Sequence, residues 1–271
     1  MSSPIKLHAN EREQLLKQIV GSLDNDPRFI AAWLIGSYSR DAVDLISDLD
    51  IVLVVDDQNA NVLLDKSWQE NSTIPERATT TPERISLFKQ YGDLLFVYEN
   101  HNNAPRNGTF TTVIYSNQGV VVDWSLIPMT TAQRPQSSVL LFAKKSIPLE
   151  PTREPESWEE RKRKIMGILG NFWLMMNVIV KYIYRDDALQ FYAWLDAQIR
   201  SIGEIKRLLA GIPWEFRPGS SVKLSLEKKQ QIKDLLQVAQ MMIDLTPELS
   251  DKGLIIPGDP MQALEQRLTL L

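Results

Sequence analysis

The chain has 271 residues, of which 44% are hydrophobic and 24% charged, with a formal net charge of −4 and no cysteine. This length fits one large domain or two modest ones, each able to bury a core, and the composition is that of a globular protein without long disorder. The missing thiols exclude disulfides and thiolate metal sites and point to a reducing cytoplasm, while an acidic first 150 residues and a nearly neutral remainder argue against a broad nucleic-acid surface.

The N-terminus, MSSPIKLHANEREQ, has no apolar h-region, so no secretory leader is expected. Residues 10–23 predict a helix: Asn10 and Glu13 have capping spacing, and Leu15, Leu16, Ile19 and Val20 form an apolar face. Asp26-Pro27 ends it. Strands are predicted at Phe29–Ile35, Leu49–Val55, Asp93–Tyr98, Thr109–Tyr115 and Val120–Ile127 from their β-branched and aromatic content, with a further short one at Val139–Ala143. Helices are predicted between them near 38–46, 59–70 and 82–91, the last opened by Pro82.

The three prolines of Pro148–Pro155 mark a linker. Beyond it the pattern is helical over about 157–184, 186–209, 225–246 and 259–270, with Ser157 and Glu160 again at capping spacing. The most apolar run, Ile165 to Val180, is shorter than the ~20 residues a membrane span needs and contains Asn171 and Asn177. It reads as a buried helix, with Phe172, Trp173, Met175 and Met176 as core. The expectation is an α+β protein: residues 1–150 form a mixed sheet flanked by helices, and residues 151–271 form an all-α bundle.

The chemistry concentrates between Ile35 and Val54. A strand runs into Gly36-Ser37, then a short helix, then a strand carrying Asp48 and Asp50. Gly36 permits a sharp turn and close approach of a ligand. Ser37, at the predicted helix start, lies among free N–H groups that suit an anion, and Arg40 stands three residues on. Asp48 and Asp50, two apart, project from one face. Adjacent carboxylates repel unless cations bridge them, and hard ions such as Mg²⁺ take oxygen ligands. Leu49, Ile51, Leu53 and Val55 line one face of the strand while Val52 and Val54 continue the aspartate face, so the strand is predicted to be central. Asp123 interrupts another apolar strand, where a lone charge is costly unless paired or metal-bound. If the two strands are neighbours, three carboxylates converge in a way that suits two metals bridging an attacking oxygen and a triphosphate.

Gly36-Ser37, Asp48-Leu49-Asp50 and the later Asp123 resemble the signature of the DNA polymerase β-like nucleotidyltransferases. Two further stretches resemble aminoglycoside 6-adenylyltransferases of the streptomycin type: Asn117–Pro128 and the helix running from Asn171 to Leu189. Within that helix Tyr182-Ile183 and Asp187 depart from the family pattern. The resemblance implies that Asp48 and Asp50 bind two Mg²⁺ ions, and that Asp123 binds the catalytic ion and helps deprotonate an acceptor hydroxyl. It implies that Gly36 and Ser37 hold the β- and γ-phosphates of ATP or another nucleoside triphosphate, assisted by Arg40 and Ser47. Lys181 and Arg185, four apart on one helix face, would reach the triphosphate from the second domain, with the nucleotide and a small-molecule hydroxyl acceptor in an interdomain cleft. The implied reaction is adenylyl transfer to an aminoglycoside-like molecule with release of pyrophosphate. No nucleic-acid or membrane partner is expected.

Plainer readings stand beside these. Lys181 and Arg185 also suit a helix C-terminus, Asp186 and Asp187 suit a cap for the next helix rather than ligands of a cationic acceptor, and Glu99, just past a strand, reads as a loop residue rather than an acceptor-site carboxylate. His8 and His101 have no supporting motif. A protein or tRNA acceptor, or a nucleotide-binding module without turnover, fits the same motif, although the absence of histidine after residue 101 argues against a fused ribonuclease.

Overall fold

The computed structural model describes residues 3–65, 80–152, 154–213, 223–255 and 258–271. The chain divides into two compact units, Met1–Pro151 and Thr152–Leu271.

In the first unit, helix α1 (Pro4–Asn25) leads into strand β1 (Phe29–Leu34) and a single helical turn, α2 (Gly36–Ser39). Strand β2 (Leu49–Val55), helices α3 (Asp57–Leu63) and α4 (Pro82–Lys89), and strands β3 (Leu94–Glu99), β4 (Thr109–Tyr115), β5 (Val121–Pro128) and β6 (Val139–Ala143) follow. The strands form one sheet in the order β3-β4-β5-β2-β1-β6. Only β2 and β5 pair in parallel; the other pairs are antiparallel. The sheet is therefore mixed, and β2 is central, as its two apolar faces predict.

α1 begins at Pro4, six residues before the predicted start, with proline in its first turn. Asn10 is thus a helix-interior residue and not a cap: a proline at the first helical position has its φ already set and no N–H to leave unsatisfied. The predicted helix over 38–46 shrinks to the one turn of α2. Beyond it Asp44 folds the chain back on itself, its carboxylate accepting from the Ile46 N–H and the Ser47 hydroxyl at 2.9 Å each; such side-chain bonds compete with helix. Of the helix predicted over 59–70, α3 accounts for the first part and residues 66–70 lie outside the described residues.

One face of the sheet is covered by α1 and α4. Leu15, Ile19 and Leu23 of α1 and Phe88 of α4 pack there with Leu49, Ile51, Leu53, Trp124 and Leu126. The Trp124 ring stacks on Phe88 and Tyr91 at 5.2 and 5.8 Å. The opposite face carries a smaller cluster that includes Trp33, Val52, Val54 and Ile127.

The second unit holds α5 (Trp158–Tyr184), α6 (Ala188–Ala210), α7 (Lys228–Ile243), α8 (Thr246–Asp251) and α9 (Pro260–Leu268). Ser157 and Glu160 close the predicted capping box at the start of α5, which satisfies two first-turn donors. α5 is long and apolar enough by length and composition to cross a membrane. Its apolar stripe, Ile165, Leu169, Phe172, Met176, Ile179 and Ile183, lies at helical spacing in the core of this unit, packed with Phe191, Leu195, Ile205 and Leu235.

Glu99 is a strand residue and not the expected loop residue. It ends β3, is 2% exposed, and pairs with the equally buried Arg84 at 2.7 Å. Arg84 also donates to the carbonyls of Leu63 and Asp65. The two buried charges compensate each other through Glu99 Oε2, while Glu99 Oε1 has no protein partner.

Candidate active site

The parallel pairing of β2 with β5 puts Asp50 directly opposite Asp123 as Cα partners. Both side chains leave the face opposite α1 and α4, because Leu49, Ile51, Val122 and Trp124 point into the helix-covered core. Asp48 sits one residue before β2, not on it as predicted. Alternation still gives it the same sense as Asp50.

Gly36 is pressed against this pair. Its φ is +67°, and a Cβ added there would meet Asp50 Oδ2 at 1.8 Å. Only glycine permits the β1–α2 turn to lie on the carboxylate in this way. The turn is tied to β2 through the Ile35 N–H, which donates to the Asp50 carbonyl at 3.0 Å. Ser37 follows in α2, whose N-terminus has no side-chain cap; first-turn N–H groups in that state are donors for an anion. Arg40 is the C-cap of α2, and its charge acts on Asp50.

The Asp123 charge acts on both Asp48 and Asp50. Asp50 is held above the ordinary carboxylate range first by burial, then by the charges of Asp123 and Asp48. Asp48 is shifted the same way by loss of hydration and then by Asp123, with His8 and Arg12 opposing. Asp123 is raised by burial and pulled back by a hydrogen bond from the Thr112 hydroxyl at 2.5 Å. Repulsion among carboxylates on one face is what a bound cation relieves. As the side chains stand, no set of three or more acidic or histidine residues closes around a single point among the described residues. The donor set is nonetheless all oxygen and half-buried around Asp50 and Asp123, and Gly36 leaves the approach clear of any side chain at that position. Hard divalent ions fit such a set.

The remaining predicted residues fall in two places. The Ser47 hydroxyl is engaged with Asp44, so in this arrangement it braces the loop before Asp48. Lys181 lies in the last turn of α5 with its ammonium 4.9 Å from the Tyr182 ring centre, and Arg185 caps that helix. Asp187 caps α6 through the Gln190 N–H at 3.1 Å, and Asp186 pairs with Lys228 at 2.9 Å.

Two residues of the site escape the sequence reading. Arg12 of α1 is 4% exposed and donates to the carbonyls of Asp44 and Ser47 at 2.8 and 2.9 Å. It fastens the loop that delivers Asp48. Its signal is present in the sequence: with Leu15, Ile19 and Leu23 it continues the buried stripe of α1, where a charge requires partners. Thr112 has no such signal, since only strand register places it beside Asp123.

Residues 9–237 match the model of the family described as streptomycin adenylyltransferase. The chain belongs to the streptomycin adenylyltransferase family. The match spans most of the chain and runs from α1 into α7, so this adenylyltransferase-family protein carries the family pattern in both of its compact units. Membership makes it a nucleotidyltransferase. No curated protein gives a match to the chain.

Proposed function

We propose that this enzyme is a Mg²⁺-dependent adenylyltransferase that moves AMP from ATP to a hydroxyl of an aminoglycoside-like small molecule and releases pyrophosphate. The observation that supports this best is the facing pair Asp50–Asp123 with Gly36 packed on Asp50. The acidic first unit suits a cationic acceptor, and the cysteine-free sequence suits the cytoplasm. Residues 1–150 act as the catalytic domain and residues 151–271 as a helical domain.

In this reading Asp48, Asp50 and Asp123 would be the residues that hold the Mg²⁺ ions. The ions, when bound, neutralise phosphate charge and lower the pKa of the acceptor hydroxyl. The protein's own groups do the rest. Gly36 and the first-turn N–H groups around Ser37 receive the β- and γ-phosphates, with Arg40 adding charge and Ser47 holding the loop that carries Asp48. Lys181 and Arg185 supply further cations to the triphosphate. Asp123, its basicity raised by burial, takes the proton of the acceptor hydroxyl. The oxygen then attacks the α-phosphorus in line, a new P–O bond forms, and the bond to the bridging oxygen breaks, so that its electron pair leaves with pyrophosphate.

Pyrophosphate release with ATP, Mg²⁺ and a panel of aminoglycosides tests this. Transfer to at least one hydroxyl-bearing member is expected, with Asp50→Asn and Asp123→Asn each reducing kcat by about 10³-fold or more, the scale of losing an electrostatic or nucleophile-activating group. Undiminished turnover in both variants would remove the assigned roles.

A further inference from the structure

The row of side chains that contains the carboxylates continues to the edge of the sheet. Asp50 faces Asp123 across β2–β5, Asp123 faces Thr112 across β5–β4, and Thr112 faces Tyr98 across β4–β3. Phe96, two residues before Tyr98, shares its side of β3. The residues that alternate with this pair, Val97 and Glu99, turn to the helix-covered side, where Glu99 is buried and Val97 packs against the core. Phe96 and Tyr98 are 51% and 41% exposed, and their rings lie 6.4 Å apart at 20° to each other. Two near-parallel aromatic rings therefore stand in the open on the carboxylate face of an edge strand. No stacking among core residues accounts for them.

Their place along the row selects a ligand. The Gly36 turn adjoins Asp50 from the β1 side, which assigns the triphosphate and the departing pyrophosphate to that side. In-line displacement brings the attacking oxygen from the opposite direction, and that direction runs over β5 and β4 towards β3. At about 4.8 Å per strand, Tyr98 stands two strands, or about 10 Å, from Asp123. A hydroxyl held at Asp123 is thus within reach of the aromatic pair only through a molecule that extends beyond its reacting ring. Aromatic faces carry negative potential and attract ammonium and guanidinium groups, and the acidic first 150 residues offer the same sign.

We infer that Phe96 and Tyr98 form the acceptor platform, on which a second, amine- or guanidine-bearing ring of the acceptor stacks while its hydroxyl lies at Asp123. This deepens the proposed reaction and rests on it for the position of the hydroxyl.

Equilibrium binding and steady-state kinetics of the full chain test it together, with streptomycin as the probe. Calorimetry is run with Mg²⁺ and a non-hydrolysable ATP analogue on the wild type, Phe96→Ala, Tyr98→Ala, the double variant and Tyr98→Phe. Each alanine should weaken streptomycin binding and raise its KM about 2–5-fold, the double variant about 10-fold, with KM for ATP and the melting temperature unchanged. Tyr98→Phe should behave as wild type, because stacking needs the ring and not the hydroxyl. Unaltered streptomycin affinity in the double variant overturns the platform, and so does a rise in KM for ATP, which would place the adenine there. Wild-type chain that binds streptomycin but transfers nothing refutes the reaction and leaves the platform comparison standing. Wild-type chain that does not bind it refutes the platform.

Discussion

Asp50 carries a conflict that the fold does not resolve by itself. It is half-buried, faces Asp123 and has Asp48 on the same side, and these neighbours all push its proton affinity upward from the ordinary 3.8. A carboxyl in that condition holds its proton more tightly in the folded state than in the unfolded one. Between 3.8 and its raised folded value, folding takes up a proton, so stability falls as pH rises through that window and the penalty is fully present at neutral pH. Asp50→Asn removes the charge and keeps the shape. With chelator present at pH 7, this variant should melt higher than wild type, on the order of 2–4 °C, in spite of the loss of turnover expected of it. The advantage should fade as the pH is lowered through and below 3.8, where both side chains are neutral. Mg²⁺ should raise the wild-type melting temperature and leave Asp50→Asn almost unmoved. Thermal scans at several pH values with and without Mg²⁺ measure this, and a variant less stable than wild type at pH 7 would contradict it. Gly36 meets the same carboxylate without strain, since its positive φ is open to glycine, whereas a side chain placed there would be strained and would meet Asp50.

At the scale of elements, the strands were legible because their signal is local. β2, β4 and β6 run over the predicted residues and the other strands differ at their ends by one residue; alternation and β-branched content depend on nothing distant. The Asp48/Asp50 and Asp123 motifs could be found for the same reason. What the sequence withheld is what long-range pairing decides. That β5 lies beside β2, with β3 and β4 between them in the chain but not in the sheet, sets Asp123 opposite Asp50 and brings two separate motifs side by side. Most of the helix expected over 38–46 is loop, and part of that loop's order comes from outside it: Arg12 of α1 holds the Asp44 and Ser47 carbonyls. Arg12 is accordingly a positioning residue. Arg12→Ala takes the donor from the partly exposed Asp44 and Ser47 carbonyls and should cost about 2 kcal/mol of stability. With Asp48 in its proposed role, the loss in activity should exceed what the folded fraction explains, at least 10-fold in kcat, since a small misplacement of a reacting group is costly. Arg12→Lys, able to make one of the two bonds, should recover part of it. Denaturant titration and kinetics on the same samples separate the two effects, and a variant that loses stability but keeps kcat would make Arg12 purely structural.

At the scale of the whole molecule, the hydrophobic clusters respect the division of the chain. Every buried residue of the sheet clusters comes from Leu15–Phe142, and every one of the helical cluster from Ile165–Leu264. We propose on this ground that the two units are separate domains, each stabilised by its own core, whereas the family pattern runs through both. The two facts make different demands. Separate cores imply that damage to one leaves the other folded; a shared family pattern implies that chemistry needs both. Phe172→Ala distinguishes them. Phe172 is fully buried in the middle of α5, and its truncation should cost about 3–5 kcal/mol through lost burial and the cavity left behind. Amide exchange should then quicken across α5, α6 and α7 while β2 and β5 keep their wild-type protection. At a temperature where only the helices have opened, adenylyl transfer should be lost if Lys181 and Arg185 act as proposed, since both depend on an intact α5. Exchange that quickens equally in β2 and β5 would show one cooperative fold, and transfer that persists with the helices open would confine the chemistry to the sheet.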